Sequence, residues 1–324
     1  MKAIVNAAKG RLEMRDLPAP EPAAGQVRIR TAACGICATD FEMMGGSVRG
    51  KCPQVLGHEW SGIVDKCGPG VTPSWSGKLC VGENVLRDGG EVGFEHPGGY
   101  GEFFLTDAAN LHLLPDGFQM DEAALLEPLA VAVRGMARLR PFSGSALILG
   151  DGPIGLLVLM LLTRAGTSEI GVVGGRDARL QLAQQLGAAW TVNYHTAKSS
   201  LADEIISLAT GRVAAIVEAT RSADVIPLAV RVAAHGARIL LIGSYEGRQT
   251  TFTPNDFLHN EFEMIASNAS AGAWPEAVKL AVKRELPIGR LITHRFPAVE
   301  FDSAIQTARD DRSALRVVLQ WSKG

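Results

Sequence analysis

Two cysteines separated by two residues lie in the stretch CGICATDF, which runs from Cys34 to Phe41. This spacing fits a redox dithiol, half of a zinc knuckle, or a site in which only one sulfur acts. Further along, VLGHEWSG contains His58 and Glu59, and LLEPLAV contains Glu127. Cysteine, histidine and carboxylate can hold zinc while leaving one position open for a substrate. Sequence spacing alone does not join residues so far apart, and a core histidine without metal is the alternative for His58.

A second set of residues could bind a dinucleotide. The strand-like run ALIL is followed by GDGPIG, which has G-x-G-x-x-G spacing, and then at once by a helical run. Such glycines permit a tight turn and let the backbone approach a pyrophosphate that caps the helix N-terminus. The alternative is a glycine turn in an unrelated α/β protein. The predicted cofactor residues are Gly150, Gly152, Pro153, Ile154, Gly155, Gly174, Gly175, Arg176 and Gly243.

The end of the second predicted strand indicates which nicotinamide cofactor fits. An NAD site carries Asp or Glu there to hold the ribose 2′-hydroxyl, whereas this chain has VGGRDARL, with Gly174 and Gly175 leading to Arg176. Small residues make room for a 2′-phosphate, and a guanidinium can bind it in a forked geometry. The pattern therefore favours NADP(H). The alternative is that Arg176 pairs with solvent or with Asp177, and Asp177 leaves NAD open.

The surrounding elements predict an α/β protein of two domains. From residue 145, short aliphatic runs alternate with helical ones, which is typical of a doubly wound parallel sheet. The predicted strands are ALILG, IGVVG, WTVNY, AAIVEAT, ARILLIG and EMIASNA, and one of the helices is SADVIPLAVRVAAHG. Before residue 127 the runs AIVNAA, QVRIRTAA and SGIVDKC predict a β-rich domain. The tail from residue 293 predicts a strand, a helix and a strand that return to the first domain.

Composition narrows the class of protein. Hydrophobic residues make up 47% of the 324 residues, and 32 Lys and Arg nearly balance 34 Asp and Glu, which argues against disorder and a nucleic-acid surface. The longest apolar run, IGLLVLMLL, is far shorter than a bilayer span, so no membrane partner is expected. The first residues lack the apolar core of a secretory signal, which predicts a cytoplasmic protein. The number of cysteines is five, and because this number is odd a disulfide framework is not expected.

Taken together, these motifs resemble the zinc-dependent medium-chain dehydrogenase/reductase family over essentially the whole chain. The matching pieces are GICATD, GHEWSGIV, GGYGEFF, LLEPLAVAV, GDGPIG and FDSAIQTARDDRSALRVVLQ. The resemblance implies a β-rich GroES-like catalytic domain, residues 1–127 and 270–324, and a Rossmann domain, residues 128–269. It also implies zinc at Cys37, His58 and Glu127, with Glu59 beside the metal as a supporting or exchanging ligand. The Glu-Pro at the third ligand is similar to the sorbitol, polyol and threonine dehydrogenase branch.

The resemblance also implies a mechanism and an assembly. One catalytic zinc per chain would polarise the oxygen of a secondary alcohol, polyol or sugar, and hydride would pass to NADP. Thr39 would relay the proton, with Glu42 and Glu59 carrying it outward, and Asp40 would orient the ligands. Homodimers or homotetramers are expected. The alternatives are a zinc-free enone or quinone reductase of the same fold and a non-enzymatic nucleotide-binding protein.

Departures from the family pattern limit this inference. The lobe that often carries four cysteines for a structural zinc has only Cys80 here, so that zinc is not expected. Position 42, often His in alcohol and sorbitol dehydrogenases, is Glu42, and His96 is expected in an exposed loop. Glu42, Trp60 and Glu95 are the candidates for lining a polar substrate pocket.

Overall fold

The structure is a computed structural model, and it describes residues 1–47 and 49–321. Contacts between residues divide the chain into two compact units. One consists of Met1–Glu127 and the residues from Trp274 onward, and the other of Pro128–Ala273. The first unit is therefore discontinuous in sequence, and the second is inserted within it.

Strands and helices alternate along the chain as follows. The strands are β1 (Lys2–Ala8), β2 (Arg11–Asp16), β3 (Gln26–Gly35), β4 (Gln54–Val55), β5 (Glu59–Cys67), β6 (Leu79–Gly82), β7 (Phe103–Asp107), β8 (Leu111–Leu113), β9 (Ala146–Leu149), β10 (Ile170–Gly174), β11 (Trp190–Asn193), β12 (Val213–Glu218), β13 (Ala233–Leu241), β14 (Glu263–Ala266), β15 (Ile292–Pro297) and β16 (Arg316–Gln320). The α-helices are α1 (Ala38–Met44), α2 (Met120–Ala123), α3 (Leu126–Leu139), α4 (Pro153–Arg164), α5 (Asp177–Gln185), α6 (Leu201–Leu208), α7 (Ile226–Val232), α8 (Pro254–Asn260), α9 (Trp274–Val282) and α10 (Phe301–Asp310).

The first unit is built on β-sheets. Its larger sheet has the order β15-β16-β3-β5-β6-β8, with β7 also paired to β3, and its smaller sheet has the order β2-β1-β4. Strand β16 runs antiparallel to β3, so the tail of the chain joins the sheet begun near the start. The core packs around Trp60, which is 2% exposed and meets Phe104 edge-on at 4.9 Å. Trp60 therefore belongs to the core, and its interpretation as a pocket-lining residue is wrong.

The second unit is a parallel sheet with the order β11-β10-β9-β12-β13-β14. Strand β9 (ALIL) is buried along its whole length because it lies in the interior of the sheet, which explains its continuous apolar sequence. The six predicted strands are present, and the prediction of an α/β fold with a β-rich first part and a doubly wound second part is confirmed. No helix in the described ranges is both long and apolar enough to cross a membrane.

One predicted element ends early. The sequence predicts a helix through SADVIPLAVRVAAHG, but α7 ends at Val232 and β13 begins at Ala233. Ala233 already pairs with Val213 of β12, and the register then shifts before Ala215 pairs with Arg238. Tertiary pairing with β12 thus outweighs the helical preference of the two alanines, which local propensity cannot reveal.

Candidate functional site

Cys37 lies at the N-terminus of helix α1, just after strand β3 ends. Its backbone is extended, with φ −100° and ψ 155°, and its N–H donates to Oδ2 of Asp40 at 2.8 Å. Asp40 lies in the first helical turn and is wholly buried. A carboxylate at this position reaches back to the residue before the helix and fixes the entry of the chain. The segment after Cys37 therefore sets the backbone from which its thiol projects.

His58 and Glu59 reach the same region through the pairing of β3 with β5. In this antiparallel register Glu59 lies opposite Gly35, two residues before Cys37. A Cβ atom on Gly35 would lie 2.4 Å from Oε2 of Glu59, closer than any real contact. Gly35 therefore makes room for the carboxylate of Glu59. The sequence interpretation missed this role, although Gly35 is the glycine between the two cysteines.

The structure brings together the side chains of Cys37, His58 and Glu59. One donor atom from each lies within 4.8 Å of the other two, and both His58 and Glu59 are buried. Zinc holds sulfur at about 2.3 Å and nitrogen or oxygen at about 2.0–2.2 Å, which places neighbouring donors roughly 3.4–3.8 Å apart. A small movement of the side chains would close this set on an ion. The residues present therefore fit a zinc ion that keeps one open position.

Glu127 lies in the first turn of α3 and is half-buried. Among the described residues it is not part of the compact set formed by Cys37, His58 and Glu59. Its pKa is nevertheless raised to about 7, because burial outweighs the opposing charge of His58 and the charge of Glu59 adds to it. Glu127 is thus within electrostatic reach of both residues. The carboxylate in the compact donor set is that of Glu59, whereas the sequence interpretation had placed Glu59 behind Glu127.

Asp40 links both sides of this set. Its Oδ2 accepts hydrogen bonds from the Cys37 N–H and, at 3.1 Å, from the Tyr100 hydroxyl, while its Oδ1 lies 3.4 Å from Nδ1 of His58. Burial alone would lower the pKa of His58, but the charges of Asp40 and Cys37 raise it well above its usual value. With Nδ1 facing Asp40, Nε2 is the nitrogen of His58 available to an ion. A carboxylate behind a metal-binding histidine commonly fixes its orientation.

Arg316, which the sequence interpretation missed, brings a positive charge to the same place. Its Nη1 lies 2.9 Å from Oε2 of Glu59 and also donates to the carbonyl of Ile36 at 2.9 Å. Burial alone would lower the pKa of Arg316, but the charges of Glu59 and Cys37 outweigh it and raise the pKa. An arginine at the start of the apolar strand RVVLQ is the available sequence signal, because a buried charge in a strand needs a partner.

Three further residues that the sequence singles out lie on or just before helix α1: Cys34, Thr39 and Glu42. Oγ1 of Thr39 lies 3.7 Å from Sγ of Cys37. Cys34 is fully buried and burial raises the pKa of its thiol, and its sulfur is not in the compact donor set. Both cysteines are free thiols. Glu42 is partly buried on helix α1.

The loop between β6 and β7 reaches the site with an aromatic ring. The ring of Phe94 lies 4.9 Å from that of His58, and the guanidinium of Arg49 lies 4.3 Å from the centre of the same Phe94 ring. Arg49 also pairs with Glu95 at 2.7 Å, so Glu95 is engaged in an ion pair. His96 is partly exposed and lies 2.9 Å from Asp88, as a loop histidine would. Phe94 has no signal in the sequence other than its place in this loop.

The glycine turn of the second unit follows β9 and leads into α4. Gly150 has φ +126°, which favours glycine, and a Cβ atom on Gly155 would lie 2.1 Å from the Gly150 carbonyl oxygen. A Cβ atom on Gly152 would meet nothing within 4 Å. The protein's own packing therefore requires Gly155, while Gly152 leaves open space at the helix N-terminus. Pro153 and Ile154 begin that helix, an arrangement that fits a pyrophosphate.

The end of β10 is occupied by a buried carboxylate from the glycine turn. Asp151, 5% exposed, pairs with Arg176 at 3.0 Å. The alternative interpretation had paired Arg176 with solvent or with Asp177. A Cβ atom on Gly175 would lie 2.5 Å from the hydroxyl of Tyr194, which places this half-exposed tyrosine beside the strand end. Gly243 follows β13 and lies against buried Glu218. The sequence interpretation missed Asp151 and Tyr194.

Comparison with known proteins identifies the family. The family model described as "Alcohol dehydrogenase GroES-like domain" matches residues 23–116, and the one described as "Zinc-binding dehydrogenase" matches residues 153–283. With the fold and the donor set described above, these matches define a zinc-type medium-chain dehydrogenase. The chain belongs to that family, as its motifs predict.

Relatives cover nearly the whole chain. The starvation-sensing protein RspB of Escherichia coli (strain K12) is 26% identical over 100% of both chains, and sorbitol dehydrogenase of Gallus gallus is 28% identical over 95% of this chain and 93% of its own. A crystal structure described as short chain alcohol dehydrogenase (rspB) from E. coli CFT073, complexed with NADH, has a TM-score of 0.92 and 25% identity, covering 99% of each chain. The chain is an oxidoreductase of the alcohol and polyol dehydrogenase type that uses NAD(P), which confirms the predicted enzyme class.

Proposed function

We propose that the protein is a zinc-dependent dehydrogenase that transfers hydride between a secondary alcohol, polyol or sugar and NADP(H), with NAD also accepted. The observation that supports this proposal best is the buried group of Cys37, His58 and Glu59, whose donor atoms lie within 4.8 Å of one another. Thiolate, imidazole and carboxylate together suit a catalytic zinc with an open position.

Cys37 and His58 would be permanent ligands, and Glu59 and Glu127 would compete for the third position. Glu59 is closer in this structure but shares its carboxylate with Arg316. Glu127, with a pKa near 7, can exist as a neutral acid or as a carboxylate. When bound, zinc would polarise the substrate oxygen and lower the pKa of the alcohol. One such ion per chain is proposed, with no structural zinc.

Thr39 is the proposed first acceptor of the substrate proton. Its Oγ1 lies 3.7 Å from Sγ of Cys37, so a substrate oxygen beside the thiolate can lie within reach of this hydroxyl. A hydroxyl both donates and accepts, which suits a relay and not a strong base. Glu42, on the same helix, and Glu59 would carry the proton outward. Asp40 would hold His58 in the orientation that its Oδ1 favours.

The second unit is the proposed dinucleotide-binding domain, and the first the catalytic domain. The open space at Gly152 suits the pyrophosphate, with Gly150, Pro153, Ile154 and Gly155 shaping the turn. The nicotinamide would accept the hydride. Gly174, Gly175 and Arg176, none of which is an acid, support binding of a 2′-phosphate, and Tyr194 lies beside them. Gly243, beyond β13, completes the set.

Homodimers or homotetramers remain our proposal for the assembly. Strand β14 lies at the edge of the parallel sheet and carries exposed positions at both ends. An edge strand can extend its sheet by pairing with a second copy of the chain. The expected location remains the cytoplasm.

A panel of alcohols, polyols and sugars, assayed with NADP and NAD with and without a chelator, tests the proposed chemistry. We expect oxidation of at least one secondary alcohol or polyol, about one zinc per chain by elemental analysis, and loss of turnover on chelation that added zinc restores. Full turnover in protein freed of metal would contradict the proposal and would favour a zinc-free reductase.

A further inference from the structure

We infer that Asp151 limits the discrimination between NADP and NAD, because its own carboxylate occupies the donors that a 2′-phosphate would use. Asp151 is the second residue of the glycine turn, and its side chain reaches the end of the neighbouring strand β10. The inference rests on the proposed dinucleotide site and adds the residue that sets its cofactor preference.

The donors around Asp151 form an anion-binding group. Its Oδ2 accepts hydrogen bonds from the backbone N–H of Gly175 at 3.0 Å and of Arg176 at 2.9 Å. Its Oδ1 accepts from Nη1 of Arg176 at 3.0 Å and lies 3.9 Å from Nη1 of Arg179. Successive backbone N–H groups with a guanidinium beside them are the arrangement that binds phosphate oxygens. Here the protein supplies the anion itself.

Asp151 also occupies the place from which an NAD-type acid would project. A Cβ atom on Gly174 would lie 2.5 Å from Cβ and 2.7 Å from Oδ2 of Asp151. No side chain can therefore leave residue 174 while Asp151 holds this position. The negative charge that NAD sites carry at the end of the second strand is retained, but it comes from the glycine turn.

The two cofactors meet this arrangement differently. A 2′-phosphate must share Arg176 with the carboxylate of Asp151, which is 5% exposed, and the two negative charges repel each other. A ribose 2′-hydroxyl can instead donate to that carboxylate. Arg176 and Asp151 thus act against each other, and we expect the wild-type enzyme to use both cofactors within about tenfold in kcat/KM.

The test measures binding of 2′,5′-ADP and 5′-AMP, which differ by the 2′-phosphate, to Asp151→Asn and Asp151→Ser by titration calorimetry. We expect each substitution to raise the ratio of 2′,5′-ADP affinity to 5′-AMP affinity at least about tenfold, because it removes a charge close to the phosphate. Asp203→Asn makes the same change in net charge at an exposed pair with Arg231 and should leave the ratio within about twofold. Circular dichroism on each variant confirms folding, and Asp151→Ser keeps the test available if Asp151→Asn does not fold.

Two results would overturn the inference. One is an unchanged ratio in folded Asp151 variants, and the other is a parallel loss of affinity for both probes, since either means that Asp151 only supports the turn. The Arg176→Ala variant distinguishes failure of the inference about Asp151 from failure of the proposed dinucleotide site. It should weaken 2′,5′-ADP more in the Asp151→Asn background than in the wild type, and no effect in either background would refute the role of Arg176 and, with it, the inference. Neither probe needs zinc or substrate, so a protein without turnover still gives an answer.

Discussion

The guanidinium of Arg316 and the carboxylate of Glu59 form a buried ion pair, 2.9 Å apart, in which the two side chains are 5% and 1% exposed. The strands that carry them, β16 and β5, are both neighbours of β3 in the same sheet. The arginine supplies a positive charge beside this carboxylate even without a metal. The pair therefore keeps the donor set formed by Cys37, His58 and Glu59 in place before an ion binds.

Replacing Arg316 by methionine should lower the free energy of unfolding of the metal-free protein by about 3 kcal/mol, because it leaves Glu59 buried without a counter-charge. Urea unfolding in the presence of chelator measures this change. The double variant Arg316→Met/Glu59→Gln should recover at least half of the loss, since it removes both charges. A loss below about 1 kcal/mol in the single variant would show that the pair is not needed for stability.

Cys37→Ser should abolish zinc binding and turnover, because serine does not provide a thiolate. NADPH binding to the second unit should remain, and fluorescence titration measures it. The matched control is Cys34→Ala, which removes the neighbouring sulfur from a buried position outside the donor set. Zinc retained by Cys37→Ser and lost in Cys34→Ala would reverse our assignment of the two cysteines.

Asp40→Asn should weaken zinc binding or lower kcat/KM by about 10- to 100-fold, since Asp40 orients both Cys37 and His58. Competition with a chromogenic chelator measures the affinity. Tyr100→Phe removes only the hydroxyl that donates to Oδ2 of Asp40 and should have a much smaller effect. Equal effects of the two substitutions would mean that the hydrogen bond from Tyr100, and not the charge of Asp40, governs the site.

Alanine substitutions at Gly152 and Gly155 should have different effects. The first should weaken NADPH binding, and the second should lower the stability of the fold. A Cβ atom on Gly152 meets nothing within 4 Å and the residue has φ −81°, so stability should change by no more than about 0.5 kcal/mol while NADPH binding weakens at least about tenfold. A Cβ atom on Gly155 would lie 2.1 Å from the carbonyl oxygen of Gly150, so stability should fall by about 1–3 kcal/mol. Thermal unfolding and fluorescence titration measure the two effects. Undiminished NADPH binding by Gly152→Ala would argue against pyrophosphate at this turn.

Arg49 should stabilise the loop around Phe94 in a pH-dependent way. The hydrogen bond from Arg49 lowers the pKa of Glu95 from 4.5 to about 2 against the opposing effect of burial. Because the folded value is the lower one, the stabilisation is present above pH 4.5 and is lost as the pH falls towards 2. Both side chains are more than a third exposed, so Arg49→Met should cost no more than about 1 kcal/mol at neutral pH. Urea unfolding at pH 7 and pH 3 tests this, and a cost that grows at low pH would contradict it.

Local patterns drew attention to Cys37, His58 and Glu59, but the grouping of these residues into one site rested on the resemblance to a family, because spacing alone does not join residues so far apart. The sequence did not reveal that Glu59, and not Glu127, lies in the compact donor set. The proximity of Glu59 depends on the register in which β5 pairs with β3. Arg316 lies 280 positions from Ile36, whose carbonyl it binds, and no local pattern joins them. Asp151 was missed for a different reason. The glycine pattern of the turn predicts a role for the backbone only. The role of Asp151 depends on its contacts with the end of the neighbouring strand β10.

Strand β16 has a consequence for synthesis on the ribosome. The polypeptide emerges from its N-terminus, so β3 and β5 are made long before the residues that supply Arg316. The inserted unit is contiguous and can fold in the interval, while the first unit waits with Glu59 lacking its cation. A nascent chain stalled before β15 should therefore contain a protease-resistant second unit beside a first unit that is still open to digestion.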